Sequence, residues 1–149
     1  MKAVKIKNVL QTGAVNTPCS VQGWVRTFRA NRFIALNDGS TIDNLQCVVD
    51  FERLEESLLK QITTSAALHL EGTLVESQGS GQKVELQVEK ITLLGASDPE
   101  KYPIQPKKHS LEFLREKAHL RVRTTTFSSV MRVRSALAFA VHEFFREEG

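Results

Sequence analysis

Between Ile34 and Val49 apolar residues alternate with polar ones, pause at Asn37-Asp38-Gly39-Ser40, and then resume. Alternation of period 2 marks a half-buried strand and Asp-Gly marks a turn, so this stretch predicts two strands joined at Asn37 to Ser40. If Ile34, Leu36, Leu45, Cys47 and Val49 face inward, Phe33 and Gln46 lie on the opposite face. An earlier strand is expected from Ser20, curved by a bulge or bend at Gly23 beside Trp24. Because of that bend, parity does not place Arg29. The first fifteen or so residues carry little pattern and read as a lead-in. Phe51 to Ile62 sets Leu54, Leu58, Leu59 and Ile62 at helical spacing and predicts a short amphipathic helix. Ala67 to Val75 alternates again, with Leu68, Leu70, Gly72 and Leu74 on one face, and Ser77 to Gln82 reads as a flexible hairpin connection. Val84, Leu86 and Val88 define a last strand, whose other face shows Glu85, Gln87 and Glu89.

Beyond Gly95 the pattern changes. Ser97 to Ser110 holds three of the four prolines and reads as an extended linker. Leu111 to Val122 follows as a short helical piece with a basic exit. From about Phe127 to Glu148 a long helix is expected, capped by Ser or Thr, with Val130, Val133, Leu137, Val141 and Phe144 in one stripe. Ala136, Ala138, Phe139, Ala140 and Phe145 widen that stripe almost all the way round. A helix this apolar requires a cover, from a partner chain or from sequence outside this chain, the competing reading being that it packs back on the barrel. Five strands with a helix between the third and fourth is the element order of the OB barrel. The predicted fold is therefore mainly β: a five-stranded OB barrel over residues 1–96, a linker at 97–110, and a helical segment over 111–149 that ends in a long α-helix.

Composition narrows the function classes. At 149 residues, with 41% hydrophobic and 25% charged residues, the chain suits one good core plus a further piece. There is no apolar run of membrane-spanning length and no signal peptide pattern, which makes the cytoplasm the expected compartment. Cys19 and Cys47 form no CxxC and are expected as core thiols. His69, His109, His119 and His142 are dispersed, so neither a metal site nor a catalytic triad is expected. The net charge is +3, which suits a polyanionic partner without demanding one. Its distribution says more, because Arg26, Arg29 and Arg32 flank Phe33. Cations interleaved with an aromatic ring serve single-stranded nucleic acid: charge for phosphates and a flat face for a base. A lone exposed aromatic is ordinary. Phe33, Gln46 and Glu85, however, all lie opposite their strands' apolar parity, and their chemistry suits bases. A ring stacks, a carboxamide both donates to and accepts from an edge such as that of uracil, and a carboxylate accepts from guanine N–H groups. Arg26 or Arg29 would hold the backbone.

The residues GWVRTFR, FIALNDGS, LQCVVD, EGTLVES, KHSLEFLREKAHLRVRT and MRVRSALAFAVHEFFREEG, in that order, resemble the N-terminal part of the asparaginyl-tRNA synthetases. These are class II enzymes of the aspartyl, asparaginyl and lysyl group. GWV and NDGS are shared across the group, whereas the stretch from Lys108 to Thr124 resembles the asparaginyl branch. The resemblance implies an anticodon-binding barrel, a hinge and the start of a catalytic domain ending in the motif 1 helix. It implies that Phe33 stacks on an anticodon base, Gln46 contacts the central uracil, Glu85 faces a first-position guanine, and Arg29 helps hold the anticodon. It further implies asparagine tRNA as partner, homodimerisation through the motif 1 helix, and ATP and Mg2+ for the full-length enzyme. No cofactor is expected in this chain, which contains nothing like motifs 2 and 3 and should not catalyse alone. A free-standing RNA-binding or regulatory OB protein, or an aspartyl or lysyl relative, is the alternative reading.

Overall fold

The computed structural model describes every residue except Met1, Phe51, Arg53 and Ser80. The chain divides into two compact units, Met1–Pro106 and Lys107–Gly149. In the first, α1 (Ile6–Thr12) precedes β1 (Pro18–Arg29), β2 (Phe33–Asn37) and β3 (Leu45–Val48); α2 (Glu56–Leu59), β4 (Ala67–Glu76) and β5 (Val84–Gly95) follow. The strands close into a barrel in the order β1-β2-β3-β5-β4. β3 runs parallel to β5, and the other described pairs are antiparallel. The alternating apolar residues meet inside: Ile34, Leu36, Leu45, Cys47, Leu68, Leu70 and Leu86 are all fully buried. Burying such a side chain contributes about 1.5 to 3 kcal/mol. Cys19 and Cys47 are free, buried thiols, and burial pushes the pKa of both upward.

Close backbone approach lets the sheet curve. A Cβ at Gly72 would collide with the Gln87 carbonyl, and the β4–β5 register shifts between Glu71 and Gly72. Gly23 is not the bulge that the sequence suggests; a Cβ there would lie 2.7 Å from the Asn37 carbonyl oxygen. The irregularity of β1 comes later, between Val25 and Thr27.

Three further elements differ from expectation. The lead-in contains α1, whose Ile6 and Val9 are buried in the barrel core. Its first N–H groups, which have no helical partner, are met by the β2–β3 loop: Ile6 N–H donates to Asp38 Oδ2 at 3.1 Å and Lys7 N–H to Ser40 Oγ at 3.0 Å. That loop is longer than a tight turn. Asn37 organises it, donating from Nδ2 to the carbonyls of Thr41 and Asp43. The helix expected over 51–62 shrinks to Glu56–Leu59, and Phe51 and Arg53 of the predicted span lie outside the described residues. Ile62 is still buried in the core, and Leu54 and Leu59 pack against that core.

Residues 97–106 group with the barrel unit, where Thr63 Oγ1 donates to the Ser97 carbonyl at 2.5 Å and Ile104 is buried. The second unit comprises α3 (Leu111–Glu116), a 3-10 turn at Arg121–Arg123 and α4 (Thr125–Glu148). Ser110 caps α3 by accepting from Phe113 N–H, and Thr124 caps α4 by accepting from Phe127 N–H. None of the residues of α4 is buried within this chain. Among the described residues no helix is long and apolar enough to cross a membrane.

Candidate nucleic-acid interface

Backbone register dictates which side chains share the outer face. Ile34 and Leu36 are buried, so Phe33 and Ala35 point outward; Leu45 and Cys47 are in the core, so Gln46 and Val48 take the outward parity, although Val48 is itself buried and lies outside the core cluster. On β1 the parity changes. Val25 pairs with buried Leu36, but Thr27 pairs with outward Ala35 and Phe28 with Ile34, leaving Arg26 as the extra residue of a bulge. Without it Arg29 would share the inward parity of Val25. With it Arg29 pairs with Phe33 on the outside.

Two outward rows result. One runs Arg29, Phe33, Val48, Gln87 and Thr73 through successive strand partners. The other runs Thr27, Ala35 and Gln46, with Glu85 and Val75 paired beyond. A concavity of about 870 Å³ lies over them and is lined by Arg29, Arg32, Phe33, Gln46 and Glu85 among others. Four of the five nucleic-acid residues read from the sequence thus come together. Arg26 does not line the concavity; it is half-buried at the bulge.

The turn between β1 and β2 brings in Arg32, which the sequence places among the cations flanking Phe33 without assigning it to the site. Ala30 and Asn31 have φ of 51° and 49°, and Arg32 N–H donates to the Arg29 carbonyl at 3.0 Å. This is a tight turn centred on Ala30 and Asn31, both at positive φ, within a three-residue connection that leaves Arg29 paired with Phe33. Asn tolerates that conformation better than Ala. The tightness returns the chain at once, so Arg29 and Arg32 flank the same ring. The Arg32 guanidinium sits 5.7 Å from the centroid of Phe33, a cation–π contact. An Asn in a three-residue connection was the available signal for this geometry.

Opposite the ring, Gln46 Nε2 donates to Glu85 Oε2 at 2.9 Å. Glu85 is outward by parity, yet only 7% exposed. The expectation of an open acidic face needs correcting, because Glu85 is largely covered and its Oε2 is engaged by Gln46. The arrangement offers a ring face, hydrogen-bonding edges and two cations within one recess. Among the described residues no group of three His, Cys, Asp or Glu side chains is placed to hold a metal ion.

On α4, Val130, Val133, Leu137, Val141 and Phe144 are between 50% and 62% exposed. The stripe predicted from the sequence is therefore bare within this chain.

A family profile described as an OB-fold nucleic acid binding domain, of the tRNA anti-codon family, matches residues 19–94. Asparagine–tRNA ligases from Parabacteroides distasonis and Porphyromonas gingivalis are 51% and 50% identical to the whole of this chain. The chain spans about a third of their length, 32% in each case. Among solved structures, the asparaginyl-tRNA synthetase of Pyrococcus horikoshii, in complex with asparaginyl-adenylate, superposes with a TM-score of 0.82. It is 23% identical, covering all of this chain and 35% of that one, which is a likeness of fold. The chain belongs to the tRNA anti-codon family of OB-fold nucleic acid binding domains and is homologous along its whole length to the N-terminal third of the asparagine–tRNA ligases.

Proposed function

We propose that the concave outer face of this barrel binds the unstacked anticodon bases of a tRNA, that of asparagine, and that the full-length protein is an ATP-dependent asparagine–tRNA ligase of the cytoplasm. The observation that carries the reading is the gathering of Phe33, Gln46, Glu85, Arg29 and Arg32 around one recess. Phe33 stacks on a base, an interaction worth about 1 to 3 kcal/mol. Gln46 and Glu85 meet base edges, and the two arginines hold phosphates. Arg26 contributes through the bulge that turns Arg29 outward. The names of the curated relatives support asparagine and its tRNA as substrates.

ATP and magnesium belong to this reading only at the level of the full-length protein. The bare stripe of α4 is read as a surface for a second copy, as the resemblance to the motif 1 helix implies.

The test is binding of the chain to asparagine, aspartate and lysine tRNAs at two salt concentrations, with an anticodon-altered asparagine tRNA as control. Preference for the asparagine tRNA should vanish when the anticodon is changed. Phe33→Ala should weaken binding roughly 5- to 150-fold, the equivalent of one stacked base, and leave the melting temperature nearly unchanged. Equal, salt-sensitive binding to all the tRNAs would leave only the phosphate contribution and defeat the reading.

A further inference from the structure

The connection between β4 and β5 reads in the sequence as a flexible polar linker. Two of its side chains do more than span a gap. β3 and β5 pair at Cys47 with Leu86 and at Val48 with Gln87. Gln46 lies one residue before that ladder, and its N–H meets a side chain in place of a strand: Gln82 Oε1 accepts from it at 3.2 Å. The Gln82 carboxamide therefore extends the edge of β5 and fixes the backbone of Gln46. On the other side of the loop, Ser77 Oγ donates to Glu85 Oε2 at 3.3 Å and accepts from Gly79 N–H at 3.2 Å. Ser77 N–H in turn donates to the Lys83 carbonyl at 3.0 Å, which closes the hairpin.

Glu85 Oε2 thus receives two hydrogen bonds, from Gln46 and from Ser77. Two donors on one oxygen fix the plane of the carboxylate. Among the described residues, no hydrogen bond engages Glu85 Oε1 or Gln46 Oε1. Those two oxygens, with the second hydrogen on Gln46 Nε2, are what the pair presents outward. An acceptor held in one orientation selects a base edge whose N–H groups match it. One free to rotate would serve several edges equally well and would lose more freedom on binding.

We infer that Ser77 and Gln82 are positioning residues for base discrimination: Ser77 orients the carboxylate of Glu85 and Gln82 fixes the backbone of Gln46, so that the β4–β5 loop sets which bases this face accepts. The inference rests on the reading of this face as an anticodon-binding site.

The test measures affinities of the 149-residue chain for a synthetic asparagine anticodon stem-loop RNA and for versions with each anticodon base replaced in turn. Melting temperatures are taken alongside. The proteins compared are the parent, Phe33→Ala, Glu85→Gln, Ser77→Ala, Ser77→Thr and Gln82→Ala. Glu85→Gln identifies the position that the carboxylate reads. Ser77→Ala should lower discrimination at that same position about fivefold, the worth of one hydrogen bond. It should change the melting temperature and the affinity for other loops little. Ser77→Thr, which keeps the hydroxyl, should restore discrimination. Gln82→Ala should lower discrimination at a different position, the one facing Gln46. If Glu85→Gln abolishes discrimination while Ser77→Ala and Gln82→Ala preserve it, the inference is overturned and the anticodon reading stands. A uniform loss of affinity and stability in Ser77→Ala, unrescued by Thr, would also overturn it. If Phe33→Ala and Glu85→Gln both bind every loop as the parent does, the anticodon reading itself fails.

Discussion

Two residues show how a side chain's function here depends on its immediate partners. Phe33 is offered to solvent by strand parity, but its ring is overlaid by the Arg32 guanidinium. Base and guanidinium are thus alternative partners for that ring, unless the two sandwich it. Asp38 joins the β2–β3 loop to α1. Burial raises its pKa, but donors from Ser40 and Ile6 and the nearby Lys5 charge outweigh burial and hold the carboxyl below its ordinary value. A carboxyl depressed in the folded state contributes stability that is present above the unfolded-state value near 4 and is lost as pH falls through the folded value. Chemical denaturation followed from pH 7 to pH 2 should therefore show stability declining in the acid range. Asp38→Asn should be less stable at neutral pH and flatter in acid; a parallel pair of curves would remove Asp38 from the account. At this scale the sequence was legible where period 2 governs, at Phe33 and Gln46. It was not legible for the burial of Glu85, which depends on Ser77 and Gln46, side chains that meet it only after folding.

At the scale of elements, the bulge of β1 decides the face on which Arg29 emerges. Arg26 matters there as a spacer, so its side chain should be dispensable for RNA binding. Arg26→Ala is expected to keep affinity for the stem-loop within about threefold, whereas Arg29→Ala, which would remove the proposed phosphate contact, should cost roughly tenfold at low salt and flatten the salt dependence. The reverse ranking would make Arg26 the contacting residue. The five strands were readable because each repeats its apolar alternation over four or more residues. α1 was not, because Ile6, Val9 and Leu10 are only three apolar positions and the helix takes its N-terminal hydrogen-bond partners from a loop more than thirty residues away. The bend was foreseen but set at Gly23. That glycine serves a close approach to the Asn37 carbonyl, and the extra residue comes after it.

For the whole molecule, two features lie at opposite extremes of cover. The barrel buries the apolar side chains that face its interior, while α4 leaves Phe139 at 74% and Leu137 at 62% exposed. A stripe of that size is costly to leave in water. Light scattering of the chain in solution should therefore give twice the monomer mass at micromolar concentration, and Leu137→Asp should return it to the monomer; a parent monomeric at high concentration would dismiss pairing through α4. The barrel, for its part, closes along its shortest seam. β3 has four residues, and it meets β5 at two pairs, Cys47 with Leu86 and Val48 with Gln87. The recess straddles that seam, with Gln46 and Val48 on one bank and Glu85 and Gln87 on the other. Local opening begins where a structure has fewest cooperative contacts. A bound strand of RNA would accordingly act as a clasp, holding shut the line along which the barrel would otherwise first come apart.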